Sequence, residues 1–173
     1  ATVFYGHSAK NVNGAGLAVY TSALSEDNPE LIAAKKKGIP VIKRSLLLGS
    51  ILKKYKKSIA VSGSHGKTTV TAMLTDIFVK NESDPAAFIG GDYPPVGNFR
   101  LGCGDIAVAE ACEYKKNFLD IKPYAAVVLN IDDDHKDSFD GEADEIAAFS
   151  SFIGNSLAVI NADDKNAAKL FNS

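Results

Sequence analysis

Ser58-Ile59-Ala60-Val61-Ser62-Gly63-Ser64-His65-Gly66-Lys67-Thr68-Thr69 decides the fold. Its first five residues read as a buried strand, and a helical pattern runs from Lys67 to about Lys80. Between them lies a turn with two glycines. Such a turn lets backbone N–H groups converge on phosphate oxygens, and the helix N-terminus adds its partial positive charge. Lys67 supplies a point charge for β- and γ-phosphates, and the Thr68 hydroxyl is a candidate Mg²⁺ ligand. The strict Walker A spacing requires a glycine where Val61 stands, and here the other glycine is Gly63. A chance Gly-Lys-Thr turn is the bland alternative, and the strand before and helix after weigh against it.

Outward from this loop, strands and helices alternate. Val3–Tyr5 and Leu17–Tyr20 read as short buried strands. Asn28 caps a helix that opens with Pro29 and runs to Lys37, and Gly38 stops it. Pro40–Ile42 starts a strand, and Ser45–Tyr55 reads as a helix burying Leu46, Leu47, Ile51 and Leu52. Downstream, Ala86–Ile89, Ile106–Ala109 and Ala125–Asn130 are apolar on both faces, as buried parallel strands are. A helix is expected over Glu142–Phe152, a strand over Leu157–Ile160 and a last helix over Asp163–Phe171. The alternation predicts an α/β fold of parallel sheets flanked by helices. The pattern restarts after Lys57, which places a domain boundary near Tyr55–Ser58.

The totals exclude several classes. Hydrophobic residues at 46% and charged ones at 23% give a globular composition rather than a disordered one. A net charge of −2 argues against general nucleic-acid affinity. No apolar run approaches the roughly 18 residues of a membrane span, and Ala1–Tyr5 lacks the layout of a signal peptide. The basic clusters Lys35–Lys37 and Lys53–Lys57 fall near helix ends, where cations complement the dipole. Cys103 and Cys112 form neither metal spacing nor a disulfide framework, so they are expected as small buried hydrophobes in a reduced, cytoplasmic setting.

Acidic residues stand where an α/β sheet presents ligand groups, at the ends of strands. Glu110 closes one strand, and Asn130 closes another before Ile131-Asp132-Asp133-Asp134-His135. Mg²⁺ needs oxygen ligands opposite the loop threonine, and Glu110 is the first candidate. A strand-end salt bridge is the alternative for Glu110, and an ordinary loop residue the alternative for His135.

Gly63-Ser64-His65-Gly66-Lys67-Thr68-Thr69, with two residues between its glycines, resembles the phosphate loop of the Mur ligase family. His65 before the second glycine is similar to the branch that adds L-alanine to UDP-N-acetylmuramate. Val108-Ala109-Glu110-Ala111-Cys112-Glu113-Tyr114 and Asn130–His135 resemble the next two signatures of that branch. Upstream, Tyr5-Gly6-His7-Ser8 and Tyr20–Pro29 resemble the later part of its UDP-sugar domain. Gly90-Gly91 with Asn98-Phe99-Arg100 resembles a segment lining the sugar site. Lys136 and the short connection Phe152–Leu157 depart from the family pattern without touching the proposed chemistry.

The resemblance implies two partial domains. Residues 1–56 would be the C-terminal part of a Rossmann-like UDP-binding domain, and 57–173 the front part of a P-loop ATPase domain. A glycine-rich turn is then expected before Ala1, and an adenine-binding segment and an amino-acid-binding domain after Ser173. It also implies MgATP as the phosphoryl donor, with Gly63, Ser64, His65, Gly66, Lys67, Thr68 and Thr69 holding the nucleotide. Lys67, Glu110 and His135 would be catalytic, with Thr68 and Glu110 on one Mg²⁺ and His135 on a second. His7, Thr21, Ser22, His65, Asn98 and Arg100 would face the UDP-sugar. His65 has a second reading as a turn histidine bonded to backbone, and no role follows for Glu113. Other Mur-type ligases, including a muropeptide-recycling or folylpolyglutamate synthase-like enzyme, remain alternatives, as do a P-loop kinase and a non-catalytic nucleotide-binding module. No nucleic-acid or membrane partner is expected, and an open sheet edge leaves a homo-oligomer possible.

Overall fold

Asn28 organises the first helix as its sequence suggests. Its side chain accepts from the backbone N–H groups of Glu30 and Leu31 at 2.9 and 3.4 Å, ahead of α1 (Pro29–Lys36). The computed structural model describes residues 2–94, 96–132 and 138–172. It divides into two units, Ala1–Leu48 and Gly49–Ser173. In the first, β1 (Ala18–Tyr20) pairs in parallel with β2 (Val41–Lys43), and a 3₁₀ turn over Ala9–Val12 precedes them. Val12, Ala33 and Ala34 form its small core with Ala18, Ile39 and Val41. The expected strand over Val3–Tyr5 does not form. Its side chains are exposed, Tyr5 almost entirely, and no described strand pairs with it.

α2 (Arg44–Leu52) straddles the division between the units. Leu52 is buried as expected, whereas Leu46 is exposed. Gly49 is buried because the chain at Asp120 lies against it: a Cβ there would sit 2.3 Å from the Asp120 carbonyl oxygen.

The second unit is a six-stranded sheet. Its strands are β3 (Lys57–Ser62), β4 (Ala86–Phe88), β5 (Phe99–Arg100), β6 (Ile106–Glu110), β7 (Ala125–Val128) and β8 (Leu157–Ile160). They lie in the order β5-β4-β6-β3-β7-β8, parallel except for β5. β5, too short to carry a periodic pattern of its own, is a two-residue strand recruited by antiparallel pairing with β4. α3 (Lys67–Lys80) carries the chain from β3 toward β4, and α4 (Glu142–Ile153) from β7 to β8. These crossovers run in opposite directions, so right-handed connections put the two helices on opposite faces. Ala72 of α3 packs on Ala87 and Ile89, while Phe118, Phe149 and Phe152 cluster with ring centroids 4.9 and 5.1 Å apart. The connections from β3 and β6 leave in opposite directions, which makes the C-terminal ends of this adjacent pair the switch point of the sheet.

Two further expectations fail. Asp163–Phe171 is not a regular helix; a turn leads to a 3₁₀ segment, Ala167–Asn172. Asp164 accepts from the N–H groups of Ala167 and Ile131, and the Asn166 amide donates to the Ile131 carbonyl, which holds this stretch as a turn. Cys103 is exposed rather than buried, because the run after β5 lies at the surface. β8 forms an open edge with Leu157 and Val159 exposed. No helix among the described residues is long and apolar enough to cross a membrane.

Candidate functional site

At the end of β3 the chain turns through Gly63 and Gly66, whose φ angles of 135° and 83° disfavour any residue with a Cβ. The end of β7 clamps this loop. Ser64 N–H donates to the Asn130 carbonyl at 3.1 Å, and His65 N–H donates to Asn130 Oδ1 at 2.7 Å. Asn130 Nδ2 returns a bond to the His65 carbonyl at 3.1 Å. Asp132 N–H donates to Ser64 Oγ at 2.8 Å. The loop is thus fixed from both sides of its first turn. At its far end α3 begins with no side-chain cap among the described residues, leaving its first N–H groups for an anion.

Lys67 and Thr68 lie side by side on the first turn of α3, and each meets a carboxylate from the end of β6. Lys67 Nζ donates to Glu113 Oε1 at 3.0 Å and to the Gly63 and Ser64 carbonyls at 2.6 and 3.1 Å. Thr68 Oγ1 donates to Glu110 Oε2 at 2.8 Å, and Gly90 N–H donates to the same oxygen at 2.9 Å. Glu110 stands in register with Val61, which sets its carboxylate level with the loop. Gly90 lets this carboxylate come close: a Cβ would lie 2.3 Å from Glu110 Oε2. Burial pushes the neighbouring Cys112 thiol above its ordinary pKa.

The other expected residues are distributed. Ser64 is buried, Thr69 is exposed, and the His65 imidazole projects outward with Nε2 3.4 Å from Asp132 Oδ2. The backbone of His65, not its imidazole, is the part bonded to Asn130. Asn98 lies at the C-terminal end of β4, its carbonyl accepting from Ile89 N–H at 2.9 Å. Arg100 points the other way, with its guanidinium on Asp84 Oδ1 at 2.7 Å and the Pro85 carbonyl at 2.5 Å, at the N-terminal end of β4. His7, Thr21 and Ser22 belong to the first unit; His7 faces Glu30 at 3.4 Å, and Thr21 and Ser22 follow β1. His135 lies outside the described residues.

The hydroxyl of Thr68 and the carboxylate of Glu110 are hard oxygen donors already in contact, a donor set suited to Mg²⁺ completed by phosphate and water. Among the described residues no group of three or more His, Cys, Asp or Glu gathers as a metal site. Asn130 as the loop clamp and Glu113 as the partner of Lys67 were not assigned from sequence. The available signal for Glu113 was a second carboxylate three places after Glu110.

A strand running through a glycine turn into a helix, at the switch point of a parallel sheet, defines an α/β protein with a loop of the phosphate-binding type. Residues 1–56 match the Mur ligase family, catalytic domain, and 61–173 match the Mur ligase middle domain. The UDP-N-acetylmuramate–L-alanine ligase of Acetivibrio thermocellus is 48% identical over 169 residues, covering 95% of this chain and 36% of that protein. The like-named ligase of Clostridium acetobutylicum is 42% identical, covering 98% of this chain and 38% of its own length. Among solved structures, the UDP-N-acetylmuramate–alanine ligase of Thermotoga maritima superposes with a TM-score of 0.87 at 30% identity, covering 95% of this chain and 39% of that one. The chain belongs to the Mur ligase family. It spans 36–38% of the length of these two curated relatives.

Proposed function

We propose that this chain supplies the phosphate-binding core of an ATP-dependent ligase that joins L-alanine to UDP-N-acetylmuramate in peptidoglycan synthesis. The observation that carries the chemistry is the convergence of Lys67, Thr68 and Glu110 beside the uncapped N-terminus of α3. The relatives' names carry the choice of substrates. Residues 1–56 would belong to the UDP-sugar domain, with His7, Thr21 and Ser22 on the UDP-sugar. Residues 57–173 would belong to the ATP-binding domain, with Asn98 and His65 facing the sugar side. Arg100, directed to the opposite end of β4, would brace the β4–β5 pairing through Asp84 instead of touching the sugar.

A carboxylate does not form an amide unless one oxygen is first made a leaving group. In the proposed reaction the muramoyl carboxylate oxygen attacks the γ-phosphorus of ATP, and ADP leaves. The amine of L-alanine then attacks the acyl carbon, phosphate departs with the bonding pair, and the amine gives up a proton. Phosphoryl transfer of this kind demands positioning and charge neutralisation more than covalent help. The loop N–H groups of Gly66 to Thr69 would bind the β- and γ-phosphates, and Lys67 would offset their charge. Thr68 and Glu110 would hold Mg²⁺, which supplies charge neutralisation for the phosphates. His135 would serve a second metal, as the family resemblance implies. Such a reaction belongs in the cytoplasm, where ATP and nucleotide sugars are available.

The test is ADP release by the full-length protein carrying this chain, given ATP, Mg²⁺, UDP-N-acetylmuramate and L-alanine. Release that requires both the sugar nucleotide and L-alanine is expected. Preference for a tripeptide, glutamate or a D-amino acid would move the protein to another Mur-type ligase. Phosphorylation of a hydroxyl acceptor without any amine would make it a kinase instead.

A further inference from the structure

Two adjacent loop residues meet two carboxylates three places apart on one segment: Thr68 meets Glu110, and Lys67 meets Glu113. The first pair belongs to the metal-binding set proposed above. The second has a different character. Glu113 is completely buried, and the Lys67 side chain is only 12% exposed, so their ion pair is shielded from solvent. An ammonium has three N–H donors, and those of Lys67 are shared among Glu113 and the carbonyls of Gly63 and Ser64. The cation that must meet phosphate is therefore already paired.

The carboxylate is fixed in place. Lys115 and Lys116, immediately beyond Tyr114, adopt φ of 48° and 56°, a left-handed conformation unusual for two successive non-glycine residues. Three contacts hold this kink. Lys115 N–H donates to Ser138 Oγ at 2.9 Å, Lys116 N–H to the Glu113 carbonyl at 2.8 Å, and Lys116 Nζ to both Asp144 oxygens at 2.7 and 2.8 Å. Strain maintained by surrounding contacts is a mark of positions where geometry matters. The backbone of Glu113 is thereby anchored beside the loop.

We propose that Glu113 is a positioning residue that holds Lys67 in a neutral pair and thereby sets the affinity of the loop for polyphosphate, an inference that rests on the phosphate-site function above. Lys67 reaches a phosphate only by giving up part of its present bonding, and the anion also meets the buried charge of Glu113. Both effects weaken ground-state nucleotide binding. In return, the ammonium is held at a defined position over the loop instead of ranging on a flexible stem. Removing the charge of Glu113 should therefore tighten nucleotide binding, whereas losing a merely structural residue would weaken it.

The experiment compares the wild-type chain, Glu113→Gln and Glu113→Asp by titration with MgADP. Glu113→Gln should bind about tenfold more tightly, a charge effect of the size expected for a shielded ion pair released toward an anion. Glu113→Asp, which keeps the charge, should stay weaker than Glu113→Gln. In a Lys67→Met background Glu113→Gln should lose most of its gain, because the lysine it would release is absent. A second readout needs no nucleotide: acetylation of Lys67, followed by peptide mass spectrometry, should accelerate in Glu113→Gln. Glu113→Met, apolar and of similar volume, replaces Glu113→Gln in both measurements if the latter fails to fold. Weaker or unchanged MgADP binding in a folded charge-neutral variant overturns the affinity role, and unchanged acetylation overturns the hold on Lys67. A wild type that binds no MgADP overturns the phosphate-site function itself, while acetylation still decides whether Glu113 restrains Lys67.

Discussion

Gly90→Ala separates the metal-binding geometry from the fold. The added Cβ would lie 2.3 Å from Glu110 Oε2, 2.6 Å from its Cδ and 2.7 Å from Oε1, whereas ordinary contact begins near 3.4 Å. Gly90 is not among the positive-φ residues, so alanine meets no backbone strain there. The flexible end of Glu110 must instead retreat by about 1 Å, which takes its 2.8 Å bond from Thr68 out of hydrogen-bond range. The bond from Gly90 N–H is strained by the same movement. Two net hydrogen bonds at a partly buried carboxylate correspond to about 1–2 kcal/mol of stability. Loss of one well-placed oxygen ligand should weaken magnesium-dependent nucleotide binding by about tenfold, or about 1.4 kcal/mol. The assay is calorimetric titration with ADP, once with Mg²⁺ and once with EDTA, alongside thermal unfolding. Gly91→Ala is the neighbouring control, since its Cβ would meet the Thr68 methyl at 3.3 Å and requires only a small shift. A folded Gly90→Ala chain that keeps the full gain from Mg²⁺ would refute the pairing of Thr68 with Glu110 as a metal site.

Other perturbations test the frame around that site. Asn130→Ala removes both side-chain bonds to the His65 backbone and should lower stability by about 1–3 kcal/mol in urea unfolding; an unchanged midpoint would show that the clamp is dispensable. Gly49→Ala drives a Cβ to within 2.3 Å of a backbone carbonyl that cannot swing away, so a loss of about 1–3 kcal/mol is expected by thermal unfolding. Asp84 is held below its ordinary carboxyl value of 3.8, first by the Cys103 N–H and then by Arg100. Asp144 is likewise depressed, first by Lys116 and then by the Asp140 N–H. Carboxyls with depressed folded values contribute fully above their unfolded value and lose that contribution as pH falls through the folded one. The urea midpoint should therefore drop on acidification below about pH 4, and Asp144→Asn should flatten part of that drop.

The strand–turn–helix at Ser58–Lys80 was legible because its signals are local: an apolar run, two glycines and a helical period. Glu110 was legible as a candidate because it closes an apolar strand, where an α/β sheet presents its ligand groups. Glu113 and Asn130 gave no comparable signal. Their roles depend on register between strands far apart in sequence, with β6 and β7 flanking β3, and periodicity does not report register. Arg100 shows the opposite difficulty. Its motif suggested a ligand group, but the antiparallel pairing of β5 with β4 turns its guanidinium toward Asp84. Val3–Tyr5 has the apolar composition of a strand and no described partner, and Asp163–Phe171 has helical composition but side chains that bond across to Ile131. A strand without a described partner does not form in the first case, and tertiary bonding outweighs local pattern in the second.

The most direct measurement is a calorimetric titration of this chain with MgATP, wild type beside Lys67→Ala. If the loop is formed and functional as described, the wild type binds and Lys67→Ala weakens binding by about tenfold or more. Equal binding by both chains would contradict the assignment of Lys67 to the phosphates, and absence of binding by a folded wild type would contradict a working phosphate site in this chain.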